Sequence, residues 1–336
     1  MNYQLFRQDM DWSRKICEQL PDKMLDAHAH LYEFDQLDLD GIPIFRDLVS
    51  DGDWAAWKQF WAVLVGERML GGIFFGFPVF RQGTGRLEGI SRSNLFLRSM
   101  KPQAQISAFS RRLLLVAPDS DPDTVFHALQ SGIFSGLKPY LTLSKQYPQY
   151  QDVADFLPDW LCALANRFGV PIVLHLGKQF AIADPENLSA IRHICTQYPS
   201  VPLILAHCGS AFNQWNLIDA LPGLYPYESL FFDLSFLCES APTALLLQKF
   251  GAGRLLWGSD FPCCVRHGRS VSLGTTDFQI QRTNIMIPED SAVILALENL
   301  RAVLLGCMLA GAGQSEKEQL FYGTAASLYR IDAKRE

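Results

Sequence analysis

Short apolar runs recur along the chain and are separated by segments with helical spacing. The runs are Met24–Leu31, Gly72–Phe80, Leu113–Ala117, Phe134–Tyr140, Pro171–Leu176, Pro202–Gly209, Leu230–Ser235 and Arg254–Pro262. Most lack polar alternation, as expected for strands buried on both faces. Helices are predicted between them. Leu5–Leu20 leads in and stops at Pro21. Others cover Arg92–Phe109, a segment opening at Asp121-Pro122, Val153–Phe168 with a bend or restart at Pro158, and Asp184 to about Tyr198. Thr243–Phe250, Asp290–Leu309 and Ser315–Leu328 complete the set.

Strand–helix alternation implies parallel strands joined by right-handed crossovers. Eight units in this length predict an α/β fold, a closed (β/α)₈ TIM barrel. The whole chain, 1–336, reads as one domain, with its barrel core at about 22–331 and extra C-terminal helices. Residues 31–71 form a long insertion after the first strand, with an acidic loop and a helix. Trp54, Trp57 and Trp61 share one face of that helix, as a buried face, a subunit contact or a lid over the substrate. An open doubly wound sheet is the rival architecture. No G-x-G-x-x-G follows the first strand and no Walker sequence occurs, so nucleotide binding has no support.

Composition narrows the function class. The chain is 49% hydrophobic and 19% charged, with a net charge of −6 and no basic run, which argues against a nucleic-acid partner. The N-terminal MNYQLFRQDMDW has no apolar core of a signal peptide. The apolar stretch 292–312 is interrupted by Glu298, Asn299 and Arg301, so it reads as a buried helix and not a membrane span. Eight scattered cysteines without C-x-x-C spacing fit a reducing cytoplasm, and the vicinal pair Cys263-Cys264 reads as packing.

The polar residues within these apolar runs gather at one end. Asp26, His28 and His30 alternate along the first strand, which places them on one face. Lys138, His175, His207 and Asp260 stand at or near the C-terminal ends of later strands. In a barrel those ends converge on one mouth. Neutral imidazoles and a carboxylate suit zinc and similar divalent ions. His28, His30, His175 and Asp260 can hold one ion and leave room for a water, whose pKa a metal lowers to about 7. His207 beside them can orient or deprotonate that water, polarise a carbonyl or protonate a leaving group, and Asp260 can accept the water's proton. Arg81, Lys178, Ser235, Arg266, His267 and Arg269 ring the mouth as loop residues. Arg81 and Arg266 are the candidates for contact with an anionic substrate group.

The motifs DAHAH, LKPY, VLH, LAHCG and LLWGSDFP, with the tail FYGTAASLYRI, resemble the amidohydrolase superfamily and its amidohydrolase-related branch. The resemblance covers about Leu25 to Ile331. It departs at Thr324-Ala325, where that branch often has Asn-Ala. It implies His28 and His30 as first-strand ligands, His175 as the fifth-strand ligand, and Asp260 as ligand and proton acceptor. His207 becomes a general acid/base or a ligand to a second ion. Lys138 has three readings: a carboxylated bridge between two ions as in phosphotriesterases, a partner of a substrate carboxylate, or a structural residue. The expected cofactor is a divalent metal, zinc first, with manganese or iron as alternatives and one or two ions. The expected activity is hydrolysis of an amide, ester or lactone of a small polar molecule. Non-oxidative decarboxylation of a small unsaturated or aromatic acid, as in aminocarboxymuconate-semialdehyde decarboxylase, is the enzymatic alternative. A barrel that has lost catalysis and serves as a binding module is the non-enzymatic one. The expected partner is a small-molecule substrate, without membrane or nucleic acid, and a homodimer stays open.

Overall fold

A computed structural model describes residues 5–38, 50–80, 85–100, 108–145, 147, 152–274, 276–281 and 292–331. Eight parallel strands form the frame. They are β1 (Met24–Leu31), β2 (Met69–Gly76), β3 in two pieces (Arg111–Arg112 and Leu114–Val116), β4 (Leu137–Pro139), β5 (Ile172–Leu174), β6 (Leu203–Leu205), β7 (Leu230–Asp233) and β8 (Leu255–Leu256). Leu113 joins the two pieces of β3 and donates its N–H to Phe74 O of β2 at 2.8 Å. Pairing then runs in sequence order, with Leu115 opposite Lys138, Leu137 opposite Ile172, Leu174 opposite Leu205, Leu205 opposite Phe232 and Asp233 opposite Leu256. The residues around β8 return to β1. Ala27 N donates to Trp257 O at 3.0 Å, Asp260 N to His28 O at 2.8 Å and His30 N to Phe261 O at 2.7 Å. These bonds close the TIM barrel that the eight apolar runs predict.

One local feature departs from the sequence reading. Along β1, Asp26 is opposite Gly72 but Ala29 is opposite Phe74, so three steps of β1 match two of β2. This irregularity changes which residues face inward. Leu25 and Ala27 join the inner cluster, whereas Ala29 and Leu31 join the outer one. Asp26 therefore does not share a face with His28 and His30. Its carboxylate accepts instead from Trp57 Nε1 at 2.9 Å and from Ser259 N and Oγ at 2.8 and 2.6 Å. Burial pushes Asp26 up to about 6 against those hydrogen bonds.

The lead-in helix is α1 (Arg7–Cys17), and Trp57 belongs to α2 (Trp54–Val65), whose N-cap Asp53 accepts from Ala56 N. Trp54, Trp57 and Trp61 are all buried, against Phe74 and Trp257. The tryptophan face is thus core packing, and neither a lid nor a subunit contact uses it. Pro158 breaks the predicted 153–168 helix into a turn, Val153–Phe156, and a helix, Asp159–Phe168, which Gly169 ends in the left-handed conformation at φ 59°. The predicted helix Arg92–Phe109 begins earlier, as Arg86–Ser99, and 101–107 lie outside the described residues. The helix Leu295–Ala310 carries the apolar stretch near the C-terminus, and no described helix is long and apolar enough to cross a membrane. A hairpin, β9 (Gly268–Leu273) with β10 (Thr276–Gln281), follows β8 and was not expected. The tail folds as three joined helical pieces across Gln314–Leu328. Within it Thr324 Oγ1 donates to Ala252 O at 2.9 Å and accepts from Gln319 at 3.1 Å, so the departure at this position ties the tail to the loop before β8. Ala325, Ala326 and Tyr329 pack on the inner residues of the barrel.

Candidate metal centre

Two imidazoles and a carboxylate meet where β1 and β8 end. His30 Nδ1 is 2.9 Å from Gly76 O, which can only accept, so Nδ1 carries the hydrogen and Nε2 is bare. His28 Nδ1 is 2.5 Å from Asp233 Oδ2, with the same consequence. The two Nε2 atoms lie 3.3 and 3.4 Å from one oxygen of Asp260. Asp260 adopts a left-handed backbone at φ 58°, uncommon outside glycine, and this turn aims its carboxylate back at β1. Burial raises its pKa, but the close contacts with His28 and His30 and the nearby His207 hold it well below the usual carboxylate range. Burial pulls His28 down, and the Asp233 carboxylate more than reverses that. Burial lowers His30 to about 4. Gly258 allows the close approach: a Cβ there would sit 2.6 Å from His28 Cβ.

His28, His30 and Asp260 form one compact group able to hold an ion. His28 Nε2 is buried without a hydrogen-bond partner among the described residues, as a nitrogen reserved for a metal would be. Two nitrogens and an oxygen suit zinc or manganese. The residues present therefore fit a divalent ion.

The other predicted residues stand around this group. His207 follows β6 at φ 53°, at the start of a left-handed turn through Cys208, Gly209 and Ser210. Its ring centroid is 5.0 Å from that of His28 and it stacks on Phe212 at 5.7 Å. His175 follows β5, with its ring 5.2 Å from that of His207 and 4.8 Å from that of Tyr140. It is beside the compact group and not a member of it. Burial, with His207 and the Lys138 ammonium close by, keeps its imidazole neutral, the form that binds a metal. Lys138 Nζ lies 4.8 Å from the Phe75 ring and 5.3 Å from the Tyr140 ring, fully buried and without a hydrogen-bond partner among the described residues. Burial lowers it to about 8, although Asp233 and Asp260 oppose the shift.

Asp233 escaped the sequence reading. It ends the run LFFD, so the strand-end rule that selected the histidines also selects it. Ser235, which the sequence places at the mouth, is buried and hydrogen-bonded to His207.

The basic ring at the mouth is largely committed elsewhere. Lys178 forms ion pairs with Asp152, Glu186 and Asp184. His267 Nε2 is 2.8 Å from buried Asp9, and Arg269 reaches Cys238 O at 2.8 Å and Glu298 at 3.3 Å. Arg266 Nε donates to Cys263 O at 3.1 Å, which anchors it to the turn after Asp260. Arg81 lies outside the described residues. Burial and the Asp260 carboxylate push the Cys263 thiol well up, consistent with packing and not with a nucleophile.

No curated protein matches the chain. Among solved structures, an amidohydrolase from Burkholderia multivorans with bound zinc is 16% identical, with a TM-score of 0.55, over 92% of this chain and 100% of that one. A dihydroxybenzoic acid decarboxylase from Polaromonas with bound manganese and the inhibitor 2-nitroresorcinol is 15% identical, with a TM-score of 0.56, over 93% and 98%. A 4-oxalomesaconate hydratase from Rhodopseudomonas palustris is 12% identical, with a TM-score of 0.52, over 92% and 96%. At these identities the likeness shows a shared fold. The family model for amidohydrolases matches residues 111–331, more than half of the chain and the span from β3 to the tail that holds Lys138, His175, His207 and Asp260. The barrel, the strand-end ligand types and this match lead to one assignment: the chain belongs to the amidohydrolase family.

Proposed function

We propose that this chain is a divalent-metal-dependent hydrolase acting on an amide, ester or lactone of a small polar molecule. His28, His30, His175 and Asp260 would hold the ion, zinc first and manganese second. One observation carries the reading: the Asp260 carboxylate stands 3.3–3.4 Å from Nε2 of both His28 and His30, and His28 Nε2 has no hydrogen-bond partner among the described residues. The proton acceptor and the ion-binding set coincide there. The bound ion would polarise a substrate carbonyl and acidify a water. Asp260 takes the proton of the attacking water on its carboxylate. His207, with Nδ1–H held by Ser235, presents a bare Nε2 that would take up this proton and deliver it to the leaving group. Phe212 and Phe236 flank the His207 ring and limit water around it. The aromatic faces around Lys138 Nζ support one ion and no carboxylated bridge. All eight cysteines are free, which supports a reducing, cytoplasmic setting.

A panel of small amides, esters and lactones, assayed by product NMR with zinc- or manganese-loaded protein and with chelated protein, tests the proposal. Metal-dependent release of an acid, lost in Asp260→Asn, is the expected result. No turnover of any compound by fully loaded protein would remove hydrolysis.

A second reading has its own observation. The buried, unpaired Lys138 ammonium is suited to a substrate carboxylate. Decarboxylation of an unsaturated or aromatic acid would place that carboxylate against Lys138, with His207 taking up a solvent proton on Nε2 and delivering it to the carbon that loses CO₂. Release of CO₂ from hydroxybenzoates, with no cleavage of the ester and amide panel, would favour it.

A further inference from the structure

A continuous hydrogen-bond path runs beneath the site from His28 to His207. His28 Nδ1 meets Asp233 Oδ2 at 2.5 Å. The Ser235 hydroxyl meets the same oxygen at 2.9 Å, and Ser235 N donates to Asp233 Oδ1 at 2.8 Å. His207 Nδ1 lies 2.9 Å from Ser235 Oγ and 3.1 Å from Ser235 O. All four residues are buried, so no bulk water competes for these bonds.

The direction of each bond follows from the inventory of hydrogens. A carboxylate only accepts, so the single hydroxyl hydrogen of Ser235 points to Asp233. Ser235 Oγ then presents lone pairs to His207. The Ser235 carbonyl also only accepts. Both neighbours of His207 Nδ1 are therefore acceptors, and Nδ1 must carry the hydrogen. Phe236, next in sequence, is left-handed at φ 64° although it is not a glycine, and this turn presents the Ser235 carbonyl to His207.

We propose that Ser235 is a positioning residue that fixes His207 in its Nδ1-protonated tautomer and couples it, through Asp233, to His28. The inference rests on the reading of His28 as a ligand and His207 as the proton-transfer residue. In the neutral ring, Nε2 is then the bare nitrogen. An ion on His28 Nε2 strengthens the Nδ1–H bond to Asp233, which changes how firmly Asp233 holds the Ser235 hydroxyl and hence the His207 contact. The same atoms also permit a rival: His28, His207 and Asp233 lie close enough to hold an ion of their own. The acceptors around His207 Nδ1 oppose ligation through that nitrogen, since a ligating Nδ1 carries no hydrogen.

Ring-nitrogen NMR of the full chain, with ¹⁵N-labelled histidine and with His207→Gln to assign the signal, tests the proposal without needing a substrate. In zinc-free wild type, His207 is expected as a single Nδ1–H tautomer. Loading with zinc is expected to shift its Nδ1 signal while His207 stays unligated and the zinc content stays at one equivalent. Ser235→Ala is expected to keep that zinc content, to give a mixture of tautomers and to lose the zinc response. Ser235→Thr, which keeps a hydroxyl, is expected to restore both. A Nε2–H tautomer in wild type overturns the proposal, as does a Ser235→Ala spectrum that responds like wild type. A second zinc equivalent bound through His207 also overturns it. A chain that takes up no zinc refutes the metal reading separately, because the zinc-free tautomer is measured on its own.

Discussion

Asp233→Asn is the sharpest single perturbation of the proposed ligand set. The substitution keeps the shape and removes the charge. Asp233 uses one oxygen for His28 Nδ1 and the Ser235 hydroxyl, and the other for Ser235 N. An amide has one acceptor oxygen, so one of these buried donors must face an NH₂ group. A hydrogen bond to a charged group contributes about 1.5–3 kcal/mol. Loss of the partner that orients a metal-binding histidine typically costs about 10- to 100-fold in affinity, or about 1.4–2.7 kcal/mol. The two routes give the same size of effect. Competition for zinc against a chromogenic chelator at neutral pH measures it, with Asp119→Asn, a carboxylate paired with Arg86 and outside the His28–Asp233 network, as control. A fall of about 10- to 100-fold is expected for Asp233→Asn and none for the control. A change below about 2-fold would refute the orienting role of Asp233. A fall beyond about 1,000-fold would make Asp233 a ligand, since it would exceed what such a partner contributes.

Other outcomes follow from the same geometry. Gly258→Ala forces a Cβ to 2.6 Å from His28 Cβ and should destabilise the fold by about 1–3 kcal/mol and lower zinc uptake, as read by urea unfolding and elemental analysis. Trp57→Phe removes one donor from buried Asp26 and should cost about 1–3 kcal/mol in urea unfolding while zinc content is retained; loss of zinc would show that α2 shapes the site directly. Burial raises Asp119, and the Arg86 guanidinium at 2.6–2.7 Å more than reverses that. A depressed carboxylate stabilises the fold above its ordinary pKa of 3.8, and that stability is lost as pH falls through the lower folded value. The stability gap between wild type and Arg86→Met should therefore shrink in acid, by under about 1 kcal/mol given solvent screening, and a gap that widens in acid would contradict the pairing.

The barrel was legible because its strands are buried on both faces and so read as unbroken apolar runs. The strand-end histidines were legible for the same reason: a polar residue within such a run has few alternatives to the mouth. The irregularity in β1 was not legible, because it depends on how Asp26 and Ala29 register against Gly72 and Phe74, and DAHAH alone reads as a regular alternation. Asp233 ended a strand like the histidines, but its role depends on a bond to His28, 205 residues away in sequence. The hairpin at 268–281 carries Val271, Leu273, Phe278 and Ile280 in alternation around Gly274, a signal for two strands that lies outside the barrel rhythm. The basic residues at the mouth misled for a physical reason. Their charge draws nearby carboxylates and carbonyls of the same chain, as with Lys178 and Asp152, and sequence does not show which loop supplies the partner.

Metal content per chain tests the central claim most directly, by elemental analysis of protein purified without chelator, in wild type and in His28→Ala. About one equivalent of zinc or manganese in wild type, lost in the variant, is the predicted result. Absence of metal in both proteins, even after incubation with either ion, would contradict the account.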